Sequence, residues 1–300
     1  QYRGRGRIPC GTPVFAEFRG VRDKLASETL TKLKPYLVRP TDPVSVFAKR
    51  VGKLKQEKER QQSASAPDLP GSGLLFAGEQ QQPGRPDKDT SGINLFCPVT
   101  QGNIKVWAPL DCTFAEVIAF RIAFYRMWER FAELMARTPL SDGAERDNGG
   151  DGLLDIYLVP ESGWIVDDED KSAFVAGYCV ATQDAQTSPA YILINGAQQG
   201  AGEVEATIAH ELFHAFQFAF DTKEEHWWTE GTAVWSEDFI DPNWDTERYY
   251  DEDAFDMRRH ALLPMVSEEG QHEYGIYLFP FYLAKVYDDW IVRLIWEECP

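Results

Sequence analysis

The sequence predicts an α+β fold in which helices surround a small mixed β-sheet. Two observations predict it. A long amphipathic helical pattern covers residues 113–137, and short apolar segments typical of strands follow it. After residue 221 the apolar spacing is helical almost throughout. The order of these patterns indicates a backing helix, a small sheet, a helix that carries a metal motif, and a helical C-terminal half.

The N-terminal part of the chain differs from the rest in charge. Residues 1–62 hold 15 Lys/Arg and 6 Asp/Glu, a net charge of +9, whereas the remaining residues carry −27, and helical signals occur over 20–62. Residues 63–92 are rich in Ser, Gly, Pro and Gln, as linkers are. We expect a basic extension, a flexible linker, and a globular domain over 93–300. The extension is either a disordered arm or a pro-region lying against the acidic domain.

The elements of the globular domain can be assigned in order. Strands are predicted at 93–96, 104–107, 153–159, 174–181 and 191–195. The helix at 113–137 begins with a capping box of Thr113 and Glu116. Its expected buried stripe consists of apolar residues at helical spacing: Phe114, Val117, Ile118, Ile122, Tyr125, Trp128, Phe131 and Leu134.

Residues 210–214 spell the metal-binding motif His-Glu-x-x-His inside an apolar, proline-free segment. That context predicts a helix. Residues four apart on a helix share a face, so His210 and His214 can converge on one ion while Glu211 faces a metal-bound water. Buried imidazole and carboxylate groups are costly unless a cation compensates them. We interpret the motif as a zinc site with Glu211 as general base.

A catalytic zinc site needs a third protein ligand, and the candidates lie downstream of the motif. Fifteen residues separate His214 from Glu230, enough for the first helix to end and a second to begin. Glu230 is flanked by tryptophans and small residues, as a carboxylate in a packed core would be. His226, Glu225 and Glu237 are further candidates, although they lie in charged clusters that we expect to face solvent.

These residues resemble the gluzincin arrangement, in which a Glu on a following helix is the third zinc ligand. Metzincins are excluded, because Gln217 and Phe220 stand where that class has Gly and His. Residues of about 112–296 are similar to a family of secreted, mostly bacterial zinc metalloproteases. The shared features include the Gly/Asp-rich turn and strand at 147–158 and the aromatic segment at 274–283.

The resemblance implies a zincin-like catalytic domain, one Zn²⁺ ion, a polypeptide substrate and a secreted protein. The Gly-x-Met-Glu-Asn element of the aminopeptidases does not occur, which favours an endopeptidase. The spacing from His214 to Glu230 is shorter than in thermolysin-like enzymes. Val234 stands where those enzymes have an Asp, so the sequence does not identify the hydrogen-bond partner of His210.

The sequence suggests two further sites, an oxyanion donor and a calcium site. The resemblance implies that Tyr274 donates a hydrogen bond to the oxyanion, with His272 and His260 as second choices.

The spacing of Asp147, Asp151 and Asp155 suggests a calcium site. Leu158 occupies the place of the bidentate Glu of a calcium-binding EF-hand loop, so a glycine-rich turn is favoured.

Composition narrows the classes of function. No apolar run has the length of a membrane span, and the acidic charge argues against nucleic acid as a partner. The five cysteines form no Cys-x-x-Cys pair, and Cys97 and Cys112 are either bridged or free. Neither a signal peptide nor a natural end is recognisable, so we expect the polypeptide to continue beyond Pro300. Two other functions remain open: an inactive zinc-binding module, and a helical interaction protein without metal.

Overall fold

The computed structural model describes most of the chain outside its N-terminal third. The described residues are 7–10, 12, 18, 20–39, 42, 44–45, 95–101, 103–109, 114–143, 151–159, 174–195, 203–244, 246, 263–267 and 272–299. Within these ranges the fold is α+β, as predicted, with one mixed sheet and a mostly helical C-terminal half.

The sheet has six strands. They are β1 (Arg7–Cys10), β2 (Leu95–Gln101), β3 (Ile104–Pro109), β4 (Leu154–Val159), β5 (Phe174–Ala181) and β6 (Ala190–Asn195). Their order across the sheet is β1-β5-β6-β4-β3-β2. The pairs β1–β5, β3–β4 and β4–β6 are parallel, whereas β2–β3 and β5–β6 are antiparallel.

Seven α-helices have described bounds. They are α1 (Ser27–Leu37), α2 (Phe114–Met135), α3 (Glu203–Gln217), α4 (His226–Ile240), α5 (His272–Gly275), α6 (Leu278–Tyr287) and α7 (Trp290–Glu298). A short 3-10 helix (Arg22–Lys24) precedes α1. The helix α2 joins the parallel strands β3 and β4, which need such a crossover connection. Among the helices that the structure describes, none has both the length and the apolar character needed to cross a bilayer.

The predicted strands are confirmed, with one extension. β5 has the predicted bounds, and β3, β4 and β6 differ from prediction by one or two residues at an end. The sequence predicts that β2 ends at Phe96, but the strand continues to Gln101 through Pro98. Its register with β3 shifts between Phe96 and Val99, and β2 is at the edge of the sheet. An edge strand with such a shift can accommodate a residue that has no N–H.

The helix α2 buries the stripe that faces the sheet and α3. The prediction is confirmed in its second half, at Trp128, Phe131 and Leu134. It is wrong at Ile122, which is 39% exposed, while Phe124 is fully buried. Two helical steps turn the side chain by about 200°, so both residues cannot share one face. Thr113, at the predicted capping box, lies outside the described residues.

Aromatic side chains hold α2 against α3. The ring of Phe131 meets Phe213 edge to face at 5.1 Å and Phe216 at 5.7 Å. Trp128 contacts Phe216 at 5.2 Å in the same manner. Such pairs add about 0.5–1.5 kcal/mol each beyond their burial. The metal motif therefore lies on a helix whose opposite side is fixed in the core.

Part of the N-terminal segment belongs to this fold. β1 is the edge strand beside β5. The Arg39 side chain is 3% exposed and contacts the carboxylates of Asp142 and Asp155. Asp155 also accepts a hydrogen bond of 2.7 Å from Trp107 Nε1. We call these four side chains the Arg39 cluster. The sequence predicts that the globular domain starts near residue 93 and leaves open whether the N-terminal extension lies against it, but it does not predict these particular contacts. The predicted linker at 63–92 lies outside the described residues.

Candidate metal centre

Three side chains predicted to bind metal converge between α3 and α4. His210 Nε2 lies 3.2 Å from Glu230 Oε2, and His214 Nε2 lies 3.4 Å from Glu230 Oε1. One ligand atom from each residue lies within 4.8 Å of the other two. All three side chains are buried. We call them the metal-ligand group; the structure brings together the two histidines of the motif and the carboxylate selected as their partner.

The local sequence explains how the two helices meet. α3 packs against α2, α4, β5 and β6, because it is apolar on nearly every side. Its chain turns back at Asp221, whose Oδ1 accepts a hydrogen bond of 2.7 Å from the Lys223 N–H. α4 then begins at His226, so Glu230 lies in its second turn, opposite the motif.

Each histidine is fixed from behind by a hydrogen bond to its Nδ1. His210 Nδ1 lies 2.9 Å from Glu237 Oε1, and His214 Nδ1 lies 2.7 Å from Gln217 Oε1. The Gln217 amide nitrogen donates 2.9 Å bonds to Thr229 O and Thr232 Oγ1, so its oxygen must accept from His214. With hydrogen on both Nδ1 atoms, each Nε2 is directed toward the shared point. Partners of this kind orient histidine ligands in metal sites.

Glu237 corrects the sequence prediction. The charged neighbours predict that it faces solvent, but its side chain is buried, because it lies two helical turns after Glu230 on the same face of α4. Its second oxygen accepts a 2.6 Å hydrogen bond from Thr246 Oγ1. Glu237 thus takes the role of the Asp that thermolysin-like enzymes have at the position of Val234, and it lies about one helical turn further along α4. The spacing of seven residues from Glu230 is the signal that could have identified this partner.

Glu225 and His226, the remaining candidates for the third ligand, do not join the metal-ligand group. Glu225 is exposed and precedes α4, and His226 is half-buried in the first turn of that helix. Among the described residues, the grouping of possible metal ligands contains neither of them. His226 and Glu225 are therefore not supported as ligands.

Burial and neighbouring charges act in opposite directions on the metal-ligand group. Burial lowers the pKa of His210, but hydrogen bonds and charges from Glu230 and Glu237 raise it to about 10. Burial raises the pKa of Glu230, but His214 and His210 lower it to about 2. Without metal, the group therefore consists of an ionised carboxylate beside a protonated imidazole.

The donor set fits zinc. Two imidazole nitrogens and one carboxylate oxygen are the ligands of many catalytic zinc sites, in which a fourth position stays open. Metal binding replaces the proton on a histidine nitrogen, and it adds positive charge beside the buried carboxylates Glu230 and Glu237. His210, His214 and Glu230 are the residues that would hold the ion.

Glu211 is fully buried where α3 passes beneath β5. A Cβ atom placed on Gly177 would lie 3.0 Å from Glu211 Cγ, a tighter contact than side chains usually make, so glycine at this position favours the close approach of strand and helix. Glu211 Oε2 accepts a 3.2 Å hydrogen bond from Thr12 Oγ1. The sequence did not predict this contact, because nothing in the pattern around Thr12 indicates that it reaches the motif.

Tyr274 lies beside the metal-ligand group. Its ring is stacked on that of His210, with centroids 6.5 Å apart and an angle of 26°. It is buried and packs with Val234 and Tyr277. His272 is also buried on α5, and His260 lies outside the described residues. The geometry brings the predicted tyrosine to the site, and its role as a donor stays a prediction.

The aspartates considered for calcium have protein partners. Asp151 Oδ2 pairs with Lys105 Nζ at 2.9 Å, and its Oδ1 accepts from the Leu153 N–H at 3.0 Å. Asp155 belongs to the Arg39 cluster. These contacts are those of a capped turn and a buried ion pair; Asp147 lies outside the described residues.

The geometry therefore consists of two oriented imidazoles, a bridging carboxylate and a buried glutamate next to them in sequence. Comparison of the chain with protein-family models and with curated proteins finds no match.

Proposed function

We propose that the protein is a zinc-dependent endopeptidase with a zincin-like catalytic domain. The observation that carries the proposal is the convergence of His210, His214 and Glu230, with both Nδ1 atoms held by hydrogen-bond acceptors. The hydrogen bonds to both Nδ1 atoms direct the two Nε2 atoms and the carboxylate toward one point, as such bonds do in metal sites.

Each residue has a specific role in the proposed reaction. When bound, zinc would lower the pKa of a water molecule and polarise the carbonyl of the scissile peptide bond. Glu211 accepts the proton of the attacking water and passes it to the leaving amine. Tyr274 donates a hydrogen bond to the oxygen on which negative charge develops. Glu237 and Gln217 hold the two imidazoles in position.

The resemblance to the secreted gluzincin-type metalloproteases supports the same proposal. From this resemblance we also propose that the substrate is a polypeptide and that the protein acts outside the cell. The acidic globular part of the chain supports a partner other than nucleic acid, since phosphates would be repelled.

Replacing Glu211 by Gln tests the proposal most directly. Glu211→Gln keeps the shape of the side chain but cannot accept a proton. We expect the hydrolysis of casein or of a quenched peptide library to fall by about 10²–10⁴-fold. Zinc measured by elemental analysis should remain stoichiometric, because Glu211 is not a ligand.

Glu205→Gln is the matched control. Glu205 lies on the same helix and is half-buried, and we expect its replacement to leave hydrolysis unchanged. Equal hydrolysis by the wild-type chain and Glu211→Gln would refute the proposed mechanism. A folded chain without stoichiometric zinc would point instead to an interaction protein.

A further inference from the structure

We propose that β1 and Thr12 form an internal plug that excludes an extended peptide from the β5 edge of the sheet and holds Glu211. The described chain is then a latent form of the peptidase, and in this respect the inference rests on the proposed function. We use the name plug for residues 7–10 and 12.

The first observation is the position of β1 in the sheet. Arg7 pairs with Phe174, Ile8 with Val175 and Cys10 with Gly177, all in parallel register. On its other side, β5 pairs with β6. Without β1, β5 would be the edge strand, and its outer N–H and C=O groups could bind an added peptide by main-chain hydrogen bonds. β1 occupies the place that such a peptide would need.

The plug ends next to Glu211. Cys10 pairs with Gly177, the residue against which the side chain of Glu211 packs. Two residues later, Thr12 Oγ1 accepts a 2.9 Å hydrogen bond from the Cys179 N–H and donates one of 3.2 Å to Glu211 Oε2. Thr12 is buried. One hydroxyl group therefore bridges the substrate edge of the sheet and the proposed general base.

This bridge hinders the proposed reaction. Glu211 must accept a proton from water, but Thr12 donates to one of its carboxylate oxygens. An extended peptide on β5 would use the outer N–H groups of the strand, and Thr12 already binds that of Cys179. Displacement of the plug would make the edge and this oxygen available together.

The sequence of β1 suits a strand at the edge of the sheet. Pro9 lies within β1 and has no N–H, which confines proline to edge strands and bulges. Further along the same segment, the Arg39 cluster anchors the chain to the domain. A strand tethered in this way competes at a high effective concentration, which is lost when the tether is cut. Cleavage between Thr12 and Arg39 would therefore release the plug.

The test uses the full-length protein and a fluorescent peptide with the sequence of residues 5–14 as probe. Ile8→Pro fixes the backbone angle φ of residue 8 at about −65°, whereas a parallel strand needs about −120°, and Ile8→Val is its conservative control. We expect Ile8→Pro to bind the peptide, to exchange the amide hydrogens of β5 faster, and to hydrolyse casein about tenfold faster, a change of about 1.4 kcal/mol. The wild-type chain and Ile8→Val should not bind the peptide.

Thr12→Val removes both hydrogen bonds of the Thr12 hydroxyl, the one to Glu211 and the one from Cys179, and leaves β1 unchanged. Loss of a hydrogen bond to a charged group predicts about a tenfold gain in hydrolysis. Thr31→Val is the matched control, since Thr31 donates to the backbone oxygen of Ser27 on an exposed part of α1. If Ile8→Pro fails to fold, as judged by circular dichroism, Thr12→Val alone decides, and a rate equal to that of the wild type overturns the inference.

The outcomes separate this inference from the proposed function. Equal peptide binding by the wild-type chain and Ile8→Pro means that β1 does not close the edge, and the inference fails. Peptide binding by Ile8→Pro alone, with hydrolysis unchanged, also overturns it, because the edge is then closed without inhibition. If no variant hydrolyses any substrate although zinc is bound, the proposed function fails, and selective peptide binding by Ile8→Pro still supports the closed edge.

Discussion

The Arg39 cluster and the metal-ligand group are both buried and charged, but they are balanced by different cations. In the Arg39 cluster a guanidinium contacts Asp142 and Asp155, and this cation stays protonated at every accessible pH. In the metal-ligand group the charges that act on Glu230 come from His214 and His210, which are cations only when protonated. A permanent cation makes a closed structural cluster, whereas a cation that can be exchanged makes a site.

The difference also explains which aspartates and glutamates are available for metal. The two oxygens of Asp155 accept from Arg39 and from Trp107. Both oxygens of Glu230 lie near Nε2 atoms, whose protons a metal ion can replace. Because of the partners that the fold supplies, the same residue types, equally buried, suit a structural role in one region and the proposed metal site in the other.

The largest expected effect tests the structural character of the Arg39 cluster. Arg39→Met would leave two buried carboxylates without their cation, and we expect a loss of about 3–5 kcal/mol in the free energy of unfolding. Zinc stoichiometry should be unchanged in the protein that remains folded. Chemical denaturation followed by tryptophan fluorescence measures the loss.

The exposed pair Lys32–Glu28 provides the control for this substitution. Its two side chains are 73% and 80% exposed, so Lys32→Met should change the free energy of unfolding by less than about 1 kcal/mol. If Arg39→Met were as mild as Lys32→Met, the Arg39 cluster would not be the closed ion pair that the comparison requires.

Removal of zinc tests the exchangeable character of the metal-ligand group. A ligand at about 100 times its Kd stabilises the folded state by about 2.7 kcal/mol. We expect chelation to lower the melting temperature of the wild-type chain and of Arg39→Met by similar amounts. His214→Ala should melt at the same temperature with and without chelator, and a chelator effect that persisted in this variant would place the metal elsewhere.

Glu237→Ala removes the acceptor of the hydrogen bond from His210 Nδ1 and tests whether that bond matters for the metal. Loss of such a partner weakens metal binding by about 10–100-fold. Competition with a chromophoric chelator measures the affinity. Glu225→Ala introduces the same change at an exposed position one residue before α4, and we expect no effect there. Equal affinities of the two variants would show that His210 needs no such support.

The sequence predicts the metal-ligand group well because its geometry is mostly local. Helical spacing alone puts His210 and His214 on one face, and the apolar setting of Glu230 indicates a buried carboxylate. Residues whose partners are distant in sequence are missed. Thr12 meets Glu211 across 199 positions and Arg39 meets Asp155 across 116, and no periodicity records such contacts.

Other differences arise where two local signals compete. Pro98 favours the end of a strand, but an edge strand with a shifted register can contain it. Ile122 matches the apolar pattern of α2, yet Phe124 and Met127 define the buried face. The charged neighbours of Glu237 favour a place in solvent, although its helical register with Glu230 directs it inward. In each case tertiary packing selected one of two locally acceptable arrangements.

The smallest expected effect is a proton released when zinc binds. The raised pKa of His210, about 10 against an ordinary value of 6.5, means that metal-free His210 carries a proton at neutral pH. The stability that this imidazolium gives the metal-free protein is complete below about pH 6.5 and is lost as the pH rises through about 10. Zinc replaces the proton, so zinc affinity changes in the opposite direction and increases with pH over the same range.

Calorimetric titration with zinc in two buffers of different ionisation enthalpy measures this release. We expect about one proton per ion near neutral pH, and a gain in affinity of about 1.4 kcal/mol per pH unit. Arg39→Met should release the same number, because its guanidinium belongs to the other cluster. A release of zero would mean that His210 is neutral before the metal binds. The contrast between a permanent and an exchangeable cation would then fail, since Glu230 would have no positive partner to exchange.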